Sequence, residues 1–357
     1  MIFVLVLSFL TAFTLTYFAI PNIIGIAREK NLFVEPGERS SHTISTPSLG
    51  GVGIFAGTIF SIVMWTPFDR FGGLQYILCA FLIVFLVGLK DDMSPVSPIN
   101  KLIGQVLAAS ILVFKSDIHL RGFYGMFGLH TELPEPFYAG LTLFTILVII
   151  NSFNLIDGIN GLAGSVGALI SGVLGCWFFW IGRMELSIVA FSLVGAIIAF
   201  LKYNYTPAKI FMGDSGALVI GTACSILIIQ FIDMNYYLEP GNLHQIQDVP
   251  AVAIGIMIIP LYDTLRVFIT RILRGQSPLH ADRRHIHHLL IDYGFTHMQA
   301  TGILVAVNVF FILLAFSLNQ TVELHFLLFL ILGLATTLTY ILHKSVNHKK
   351  RQKLAIR

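Results

Sequence analysis

Charged residues are scarce in this chain, and their scarcity excludes an ordinary soluble protein. Asp, Glu, Lys and Arg make up 11% of the 357 residues, whereas soluble domains carry roughly 25%. Uncharged stretches recur, and most approach or exceed the roughly 20 apolar residues that a membrane-spanning helix needs. They are 1–27, 43–68, 71–89, 136–156, 158–182, 215–232 and 293–322. A soluble fold of this length cannot bury so many apolar helices.

Cysteine is also rare, and a cleavable leader is not evident. Cys79, Cys176 and Cys224 lie inside apolar runs without paired spacing, so we expect small apolar core residues with no disulfide or metal role. The first apolar run has no charged residue before it and exceeds the length of a secretory signal core. It therefore predicts a retained helix.

The apolar runs predict an all-α polytopic membrane protein, because isolated strands would leave backbone groups unsatisfied in hydrocarbon. About eleven transmembrane helices are expected, at 2–26, 49–67, 72–89, 99–115, 136–156, 160–181, 186–201, 215–232, 249–271, 299–318 and 323–342. No water-soluble domain separates from them, so residues 1–357 are expected to form one integral membrane domain.

Lysine and arginine are unequally divided between the two sides. Of the 22 such residues, only Arg70, Lys115, Arg121 and Arg183 fall on one side. Because cytoplasmic connections carry the excess, we expect the N-terminus outside and the C-terminus in the cytoplasm. The basic tail, 343–357, is expected to anchor at anionic lipids and not at nucleic acid.

Nearly every unusual polar cluster falls in five connections on the predicted cytoplasmic side. They are 28–51 (with Arg39, His42 and Gly50-Gly51), G-L-K-D-D at 88–92 followed by Lys101, N-S-F-N-L-I-D-G-I-N-G-L at 151–162, N-Y-T-P-A-K-I-F-M-G-D-S-G at 204–216, and A-D-R-R-H-I-H-H at 281–288. The outer connections show nothing comparable. One of them, 116–136, has the turn residues of a small hairpin and no expected catalytic role.

The acidic and amide residues have both structural and functional interpretations. Asp91 and Asp92 end one helix close to Lys101, which suits metal or phosphate chemistry, although an interfacial cap is the simpler alternative. Asn151, Asn154 and Asp157 share a helix face, where they either line a site or join two helices. Asp214 either caps a helix or supplies the oxygen ligand that Mg²⁺ prefers.

The histidine cluster follows two arginines. Charge-assisted hydrogen bonds from such residues suit a diphosphate, whereas zinc or a solvated loop are the alternatives. Acidic groups for a divalent metal, basic groups for phosphates and glycine-flanked loops together indicate metal-assisted phosphoryl transfer.

These ordered motifs resemble the polyprenyl-phosphate N-acetylhexosamine-1-phosphate transferases. The likeness covers a catalytic core at 39–288, with G-x-x-D-D, N-x-x-N-x-x-D-G-x-N-G-L, F-M-G-D-S-G and D-R-x-H-I-H-H in the same order. It implies a cytoplasmic active site in a bacterial inner membrane. There, sugar 1-phosphate passes from a UDP-N-acetylhexosamine to undecaprenyl phosphate, releasing UMP and starting a cell-envelope glycan. Homodimerisation is an expectation carried by the family alone.

Residue roles follow from the same resemblance. Asp214 is implied as the main Mg²⁺ ligand, with Asn154 second and Mn²⁺ as an alternative ion. Asp91 and Asp92 are implied in activating the lipid phosphate or organising the metal site, and Asp157 in catalysis. The implied substrate-binding residues are Arg39, His42, Lys101, Asn160, Phe211, Arg283, Arg284, His285, His287 and His288.

One difference from the family pattern limits the role of Asn160, and three other features indicate the branch of the family and its sugar donor. Members of the family often have Asp where this chain has Asn160, so that position supplies no carboxylate. The histidine motif, the eleventh span and the basic tail favour the WecA/TagO branch over MraY, and therefore UDP-GlcNAc as donor, with other UDP-N-acetylhexosamines open. We expect the lipid phosphate, with help from Asp91, to attack the β-phosphorus directly.

Two other classes compete with this interpretation. Intramembrane acids and broken helices also mark transporters, but here the polar groups gather at one face and inverted repeats are not evident. A prenyl-diphosphate enzyme would need D-D-x-x-D, and Asp91-Asp92 is followed by Met93, Ser94 and Pro95.

Overall fold

The computed structural model describes residues 1–30, 32, 46–67, 72–239, 241–276 and 284–355, and within them the chain is helical without a β-sheet. A helix occupies each of the eleven predicted segments. The helices are α1 (Ile2–Glu29), α2 (Gly50–Trp65), α3 (Leu74–Met93), α4 (Pro98–Lys115), α5 (Glu135–Ile156), α6 (Leu162–Trp180), α7 (Met184–Asn204), α8 (Gly213–Tyr236), α9 (Val249–Ile256), α10 (Ile258–Ile272), α11 (Ile286–Tyr293), α12 (His297–Leu318) and α13 (Leu324–Ala355).

The described helices confirm the all-α polytopic membrane class. Nine are long and apolar enough to cross a bilayer, and α9 with α10 makes a tenth if the bent pair is one span. Helix α2, with 16 residues, is shorter than each of these nine spans. The prediction of one unbroken helix at 249–271 is wrong, because the chain bends by 84° between α9 and α10. Helix α11 was not predicted.

Helix α8 forms the centre of the bundle. Its apolar window is 94% buried, against 22% for the windows of α1 and α13, so protein and not lipid surrounds it. Helices α2, α3, α5 and α6 pack around it. Residues at the start of α8 are therefore held from several sides, and they include Asp214.

The expectation of three buried cysteines needs correction, and the structure adds a detail to the basic tail. Among the cysteines only Cys224 is buried, while Cys79 and Cys176 are exposed, and all three are free thiols. Helix α13 extends through the basic segment as far as Ala355, and Lys350 within it forms an ion pair with Asp292 of α11 at 2.8 Å. Lys349 bonds to the carbonyl of Tyr293 at the end of the same helix.

The helix ends on one side bring the motif segments together. We call this side the motif face and define it by residues 46–51, 88–101, 154–161, 204–216 and 284–288. Hydrogen bonds join its segments, for example from the Gly51 amide to the Met212 carbonyl (2.8 Å) and from the Gly161 amide to the Asn204 side chain (2.7 Å).

The opposite face contains the connection at 116–134. An antiparallel bridge joins Gly122 and Glu132, in agreement with the expected small hairpin. Arg121 forms an ion pair with Asp233 near the end of α8, and the Tyr124 hydroxyl donates to the same carboxylate at 2.8 Å. This ion pair, buried on the side of Asp233, lies at the other end of α8 from Asp214 and fixes the hairpin on the bundle.

Candidate active site

The first residues of α8 are capped by a side chain from another helix. The Asp92 carboxylate, at the end of α3, accepts hydrogen bonds from the amide of Asp214 (2.7 Å), the amide of Ser215 (3.0 Å) and the hydroxyl of Ser215 (2.5 Å). An Asp at a helix start normally satisfies such amides itself. Here Asp92 does so, and the carboxylate of Asp214 is left available for other partners.

A glycine in α3 permits this contact. A Cβ on Gly88 would lie 2.5 Å from the backbone nitrogen of Ser215 and 2.7 Å from the carbonyl carbon of Asp214. Both distances are too short for any real Cβ, and backbone atoms cannot rotate away as a side chain would. Gly88 therefore lets α3 approach α8 closely enough for Asp92 to reach the start of α8.

Lys101 lies between two carboxylates. Its ammonium group is 3.1 Å from Asp91 and forms a second ion pair with Asp214. Asp91 is also fixed by the amide of Val96, which donates at 2.7 Å. The three charged side chains are between 20% and 24% exposed, so they are held in place and still accessible to a substrate.

A fourth carboxylate lies close enough to respond to these charges. Burial, and then the negative charges of Asp214 and Asp92, raise the pKa of Asp157 to about 8. Asp157 directly follows α5. Asn154, one turn earlier, is half-buried, and no described residue hydrogen-bonds to its side chain. Asn151 is different, because it bonds to Gln105 of α4 at 2.7 Å, which is the structural interpretation of that residue.

The predicted aromatic residue lies against the start of α2. The amide of Phe211 donates to the carbonyl of Pro47 at 2.8 Å, and its own carbonyl accepts from the amide of Gly50 at 2.9 Å. These backbone bonds fix the segment before Asp214 against the described end of the first motif loop. The Phe211 ring is half-buried.

Asn160 connects two segments of the motif face with α12. Its side-chain amide donates to the Thr206 hydroxyl at 3.0 Å, and its backbone carbonyl accepts from Thr301 of α12 at 2.8 Å. Its side-chain oxygen is buried without a hydrogen-bond partner among the described residues. The residue therefore has a positioning role and one oxygen left for a further partner.

The histidines lie at the start of α11. A Cβ on Gly158 would collide with the ring of His287, so this imidazole lies directly against the loop that follows α5. Burial, and then neighbouring His288, lower the pKa of His287 to about 3, which keeps the ring neutral. Both ring nitrogens of His287 are buried without a hydrogen-bond partner in the described chain. The His288 ring packs against it at a centroid distance of 4.2 Å.

Sequence reasoning missed the two residues that hold this histidine segment. Asp263 of α10 contacts His285 (3.0 Å), and Arg266 donates to the backbone carbonyl of Arg284 (2.5 Å). Both lie inside a predicted span. An ionisable residue in a membrane segment usually faces a site or a partner, and that signal was available in the sequence.

Three predicted residues cannot be placed. Arg39, His42 and Arg283 lie outside the residues that the structure describes. The others fall into three neighbouring groups on the motif face, namely the carboxylates with Lys101, the Asn160 and Phe211 loops, and the histidines.

The oxygen donors fit a divalent cation that is shared with a substrate. Asp214, Asp91 and Asn154 present the ligand type that Mg²⁺ prefers. Within the described residues, no group of three His, Cys, Asp or Glu side chains is placed to hold a metal ion. Mg²⁺ usually keeps several waters and binds through one or two carboxylates together with substrate phosphates. A sparse protein ligand set beside a lysine therefore suits a metal–phosphate complex better than a permanent metal centre.

Comparison with known proteins identifies relatives that are all named as transferases of N-acetylglucosamine phosphate to a polyprenyl phosphate. The family model described as glycosyl transferase family 4 matches residues 74–232. The undecaprenyl-phosphate α-N-acetylglucosaminyl 1-phosphate transferase of Yersinia pestis is 32% identical over 77% of this chain and 73% of its own length. Its counterpart in Escherichia coli O157:H7 is 30% identical over the same shares. The decaprenyl-phosphate N-acetylglucosaminephosphotransferase of Mycolicibacterium smegmatis is 30% identical over 82% of this chain and 76% of its own.

Proposed function

This chain belongs to glycosyl transferase family 4, and on that premise we propose that it transfers N-acetylglucosamine 1-phosphate from UDP-N-acetylglucosamine to undecaprenyl phosphate. The products are undecaprenyl-diphospho-N-acetylglucosamine and UMP. The observation that carries the proposal is the Asp91–Lys101–Asp214 cluster at the motif face, in a chain whose relatives are named for this reaction.

The charges of the cluster suit a phosphoryl transfer. Lys101 is accessible and bridges two carboxylates, so an incoming phosphate competes with them for its ammonium group. The neutral imidazole of His287 and the amide oxygen of Asn160 are buried and lack partners among the described residues. They provide polar contacts for the nucleotide sugar, while Phe211 is assigned to the uracil ring by the family resemblance.

The bond changes are those of a direct displacement. An oxygen of the lipid phosphate attacks the β-phosphorus of the nucleotide sugar, and the bond from that phosphorus to the bridging oxygen breaks, so that UMP leaves. Asp91 accepts a proton from the lipid phosphate when that phosphate arrives protonated. Asp214, with Asn154, is the proposed site for Mg²⁺, which supplies positive charge against the diphosphate when it is bound.

The position of the site at the membrane–water boundary gives each substrate its own route. A polyprenyl phosphate arrives within the bilayer and a UDP-sugar arrives from water, and a site at the helix ends is open to both. We assign the motif face to the cytoplasm because the connections there carry most of the Lys and Arg residues. In a bacterial cell the membrane with a cytoplasmic face is the inner membrane, which is therefore the proposed location.

The experiment is a donor panel with purified protein in detergent micelles. UDP-GlcNAc, UDP-GalNAc and UDP-MurNAc-pentapeptide, each radiolabelled in the sugar, are offered with undecaprenyl phosphate and Mg²⁺. We expect label from UDP-GlcNAc in the lipid extract, and none with Asp214→Asn. The same protein is also reconstituted into sealed vesicles, where uptake of the unchanged UDP-sugar, with no label in a lipid product, would support a transporter and overturn the proposal.

A further inference from the structure

A buried carboxylate on α10 organises the histidine segment. Asp263 lies shortly after the 84° bend between α9 and α10 and is 2% exposed. A buried charge without partners strongly destabilises the folded state. Its partners are therefore the reason that the residue is tolerated, and they include residues of the histidine segment itself.

The described partners of Asp263 come from its own helix and from the histidine segment. One carboxylate oxygen accepts from Arg266 at 2.7 Å and the other lies 3.0 Å from Nδ1 of His285. The amide of Ile286, the first residue of α11, donates to both oxygens, at 3.1 and 3.2 Å. Asp263 thus caps α11 from a different helix, as Asp92 caps α8.

The hydrogen bond to His285 determines which nitrogen carries the proton. An ionised carboxylate only accepts, so Nδ1 of His285 must be the donor. In the neutral ring Nε2 is then a free acceptor, and in the charged ring it is a donor that points away from Asp263. In both states the position of the imidazole is set by its carboxylate partner.

Arg266 fixes the residue on the other side of His285. Its guanidinium bonds to Asp263 and also to the backbone carbonyl of Arg284 at 2.5 Å. Three consecutive residues, Arg284, His285 and Ile286, are therefore held through a carbonyl, a ring nitrogen and an amide. The His287 ring, one residue further along, lies against Gly158 in consequence.

We propose that Asp263, with Arg266, is a positioning residue of the active site that sets the tautomer and orientation of His285 for contact with the diphosphate of the nucleotide sugar. The inference rests on the proposed function, because it assumes that His285 contacts that substrate. Partners of this kind, one step removed from the substrate, typically contribute about 10- to 100-fold to activity.

The test is a double-mutant cycle with Asp263→Asn and His285→Ala, read as label in the lipid product. The amide that Asp263→Asn introduces would present a donor to the Nδ1–H of His285, so we expect kcat to fall about 10- to 100-fold in the wild-type background. In the His285→Ala background Asp263→Asn should lower kcat by less than about threefold, because the imidazole that Asp263 positions is absent.

Asp233→Asn is the matched control. Asp233 is also a buried aspartate paired with an arginine, but it lies at the opposite face. We expect a loss of thermal stability similar to that of Asp263→Asn with at least half of the wild-type kcat. If Asp263→Asn does not purify, Arg266→Met replaces it in the same cycle with the same expectation.

The outcomes separate the inference from the proposed function. If wild-type protein makes product, two results would overturn the positioning role. One is an equal loss of kcat from Asp263→Asn in both His285 backgrounds. The other is a kcat of Asp233→Asn that is as low as that of Asp263→Asn. Absence of product from the wild-type protein would instead overturn the proposed function.

Discussion

Oδ2 of Asp92 accepts both the backbone amide and the hydroxyl of Ser215, at 3.0 and 2.5 Å. The bond joins the end of α3 to the start of α8, the most deeply buried of the candidate spans. The two adjacent aspartates therefore have different partners, because Asp91 is directed to Lys101. The geometry favours the organising role for Asp92 over direct activation of the lipid phosphate.

Alanine at the two aspartates should therefore affect stability differently. Asp92→Ala leaves the amides of Asp214 and Ser215 without their acceptor, so we expect a loss of about 1–3 kcal/mol of stability together with loss of activity. Asp91→Ala removes a partly exposed ion pair and should cost less than about 1 kcal/mol, also with loss of activity. Thermal unfolding in detergent measures the difference, and equal melting temperatures for the two variants would refute the assignment.

Lys101 should compete with Mg²⁺ for Asp214. Lys101→Met removes the positive charge from between Asp91 and Asp214, so we expect the half-saturating Mg²⁺ concentration for product formation to fall severalfold, while kcat falls at least about tenfold because a phosphate contact is lost. Lys115→Met, an exposed lysine at the other end of α4, is the control and should change neither value. A higher Mg²⁺ requirement in Lys101→Met would show that the lysine supports the metal site.

The close approach at Gly88 should tolerate no side chain. Gly88→Ala places a methyl group against the backbone of Ser215, and such overpacking costs about 1–3 kcal/mol. We expect a lower melting temperature and a lower kcat, since Asp214 moves with α8. Gly172→Ala is the matched helical control, because nothing lies within 4 Å of its new Cβ. Gly172→Ala should leave the free energy of unfolding unchanged or raise it by up to about 1 kcal/mol. The same loss in both variants would contradict the steric explanation.

Stability of the metal-free protein should depend on the protonation of Asp157. Its pKa is about 8 in the folded state and about 3.9 when unfolded, so the folded state holds the proton more tightly. The resulting stabilisation is complete below pH 4 and is lost as the pH rises through 8.

Asp157→Asn should remove this part of the pH dependence. In EDTA, we expect the melting temperature of wild-type protein to decrease from pH 6 to pH 9 more steeply than that of Asp157→Asn. Glu239→Gln, at an exposed glutamate of the opposite face, should follow the wild type. Parallel curves for wild type and Asp157→Asn would mean that the carboxylate is ionised throughout this range.

Hydrophobicity predicts this fold well because the bilayer leaves few alternatives. Uncharged runs of about 20 residues have to become helices, and all eleven predicted segments are helical. The break between α9 and α10 was missed because the residues on both sides of Met257 are as apolar as those of a continuous span. Helix α11 is not evident from the sequence because it has only eight residues and begins inside the histidine motif, whose polar residues indicate a loop.

The motifs identify the site, but not its internal partners. Asp214 alone looks like a helix cap, and only the approach of α3 shows that the cap is Asp92. Asp263 was passed over because a single acid within a predicted span has no motif around it. Its partners His285 and Ile286 are more than 20 residues away in sequence. Contacts between residues so far apart in sequence depend on how the helices pack, and a sequence pattern does not predict them.

The proposed reaction requires that UMP release depend on the lipid acceptor. Purified protein is incubated with UDP-GlcNAc and Mg²⁺, with and without undecaprenyl phosphate, and UMP and lipid-linked sugar are quantified together. We predict equal amounts of the two products, with neither formed when the lipid is left out, when EDTA is added, or in Asp214→Asn. UMP released without undecaprenyl phosphate, or undiminished product from Asp214→Asn, would contradict it.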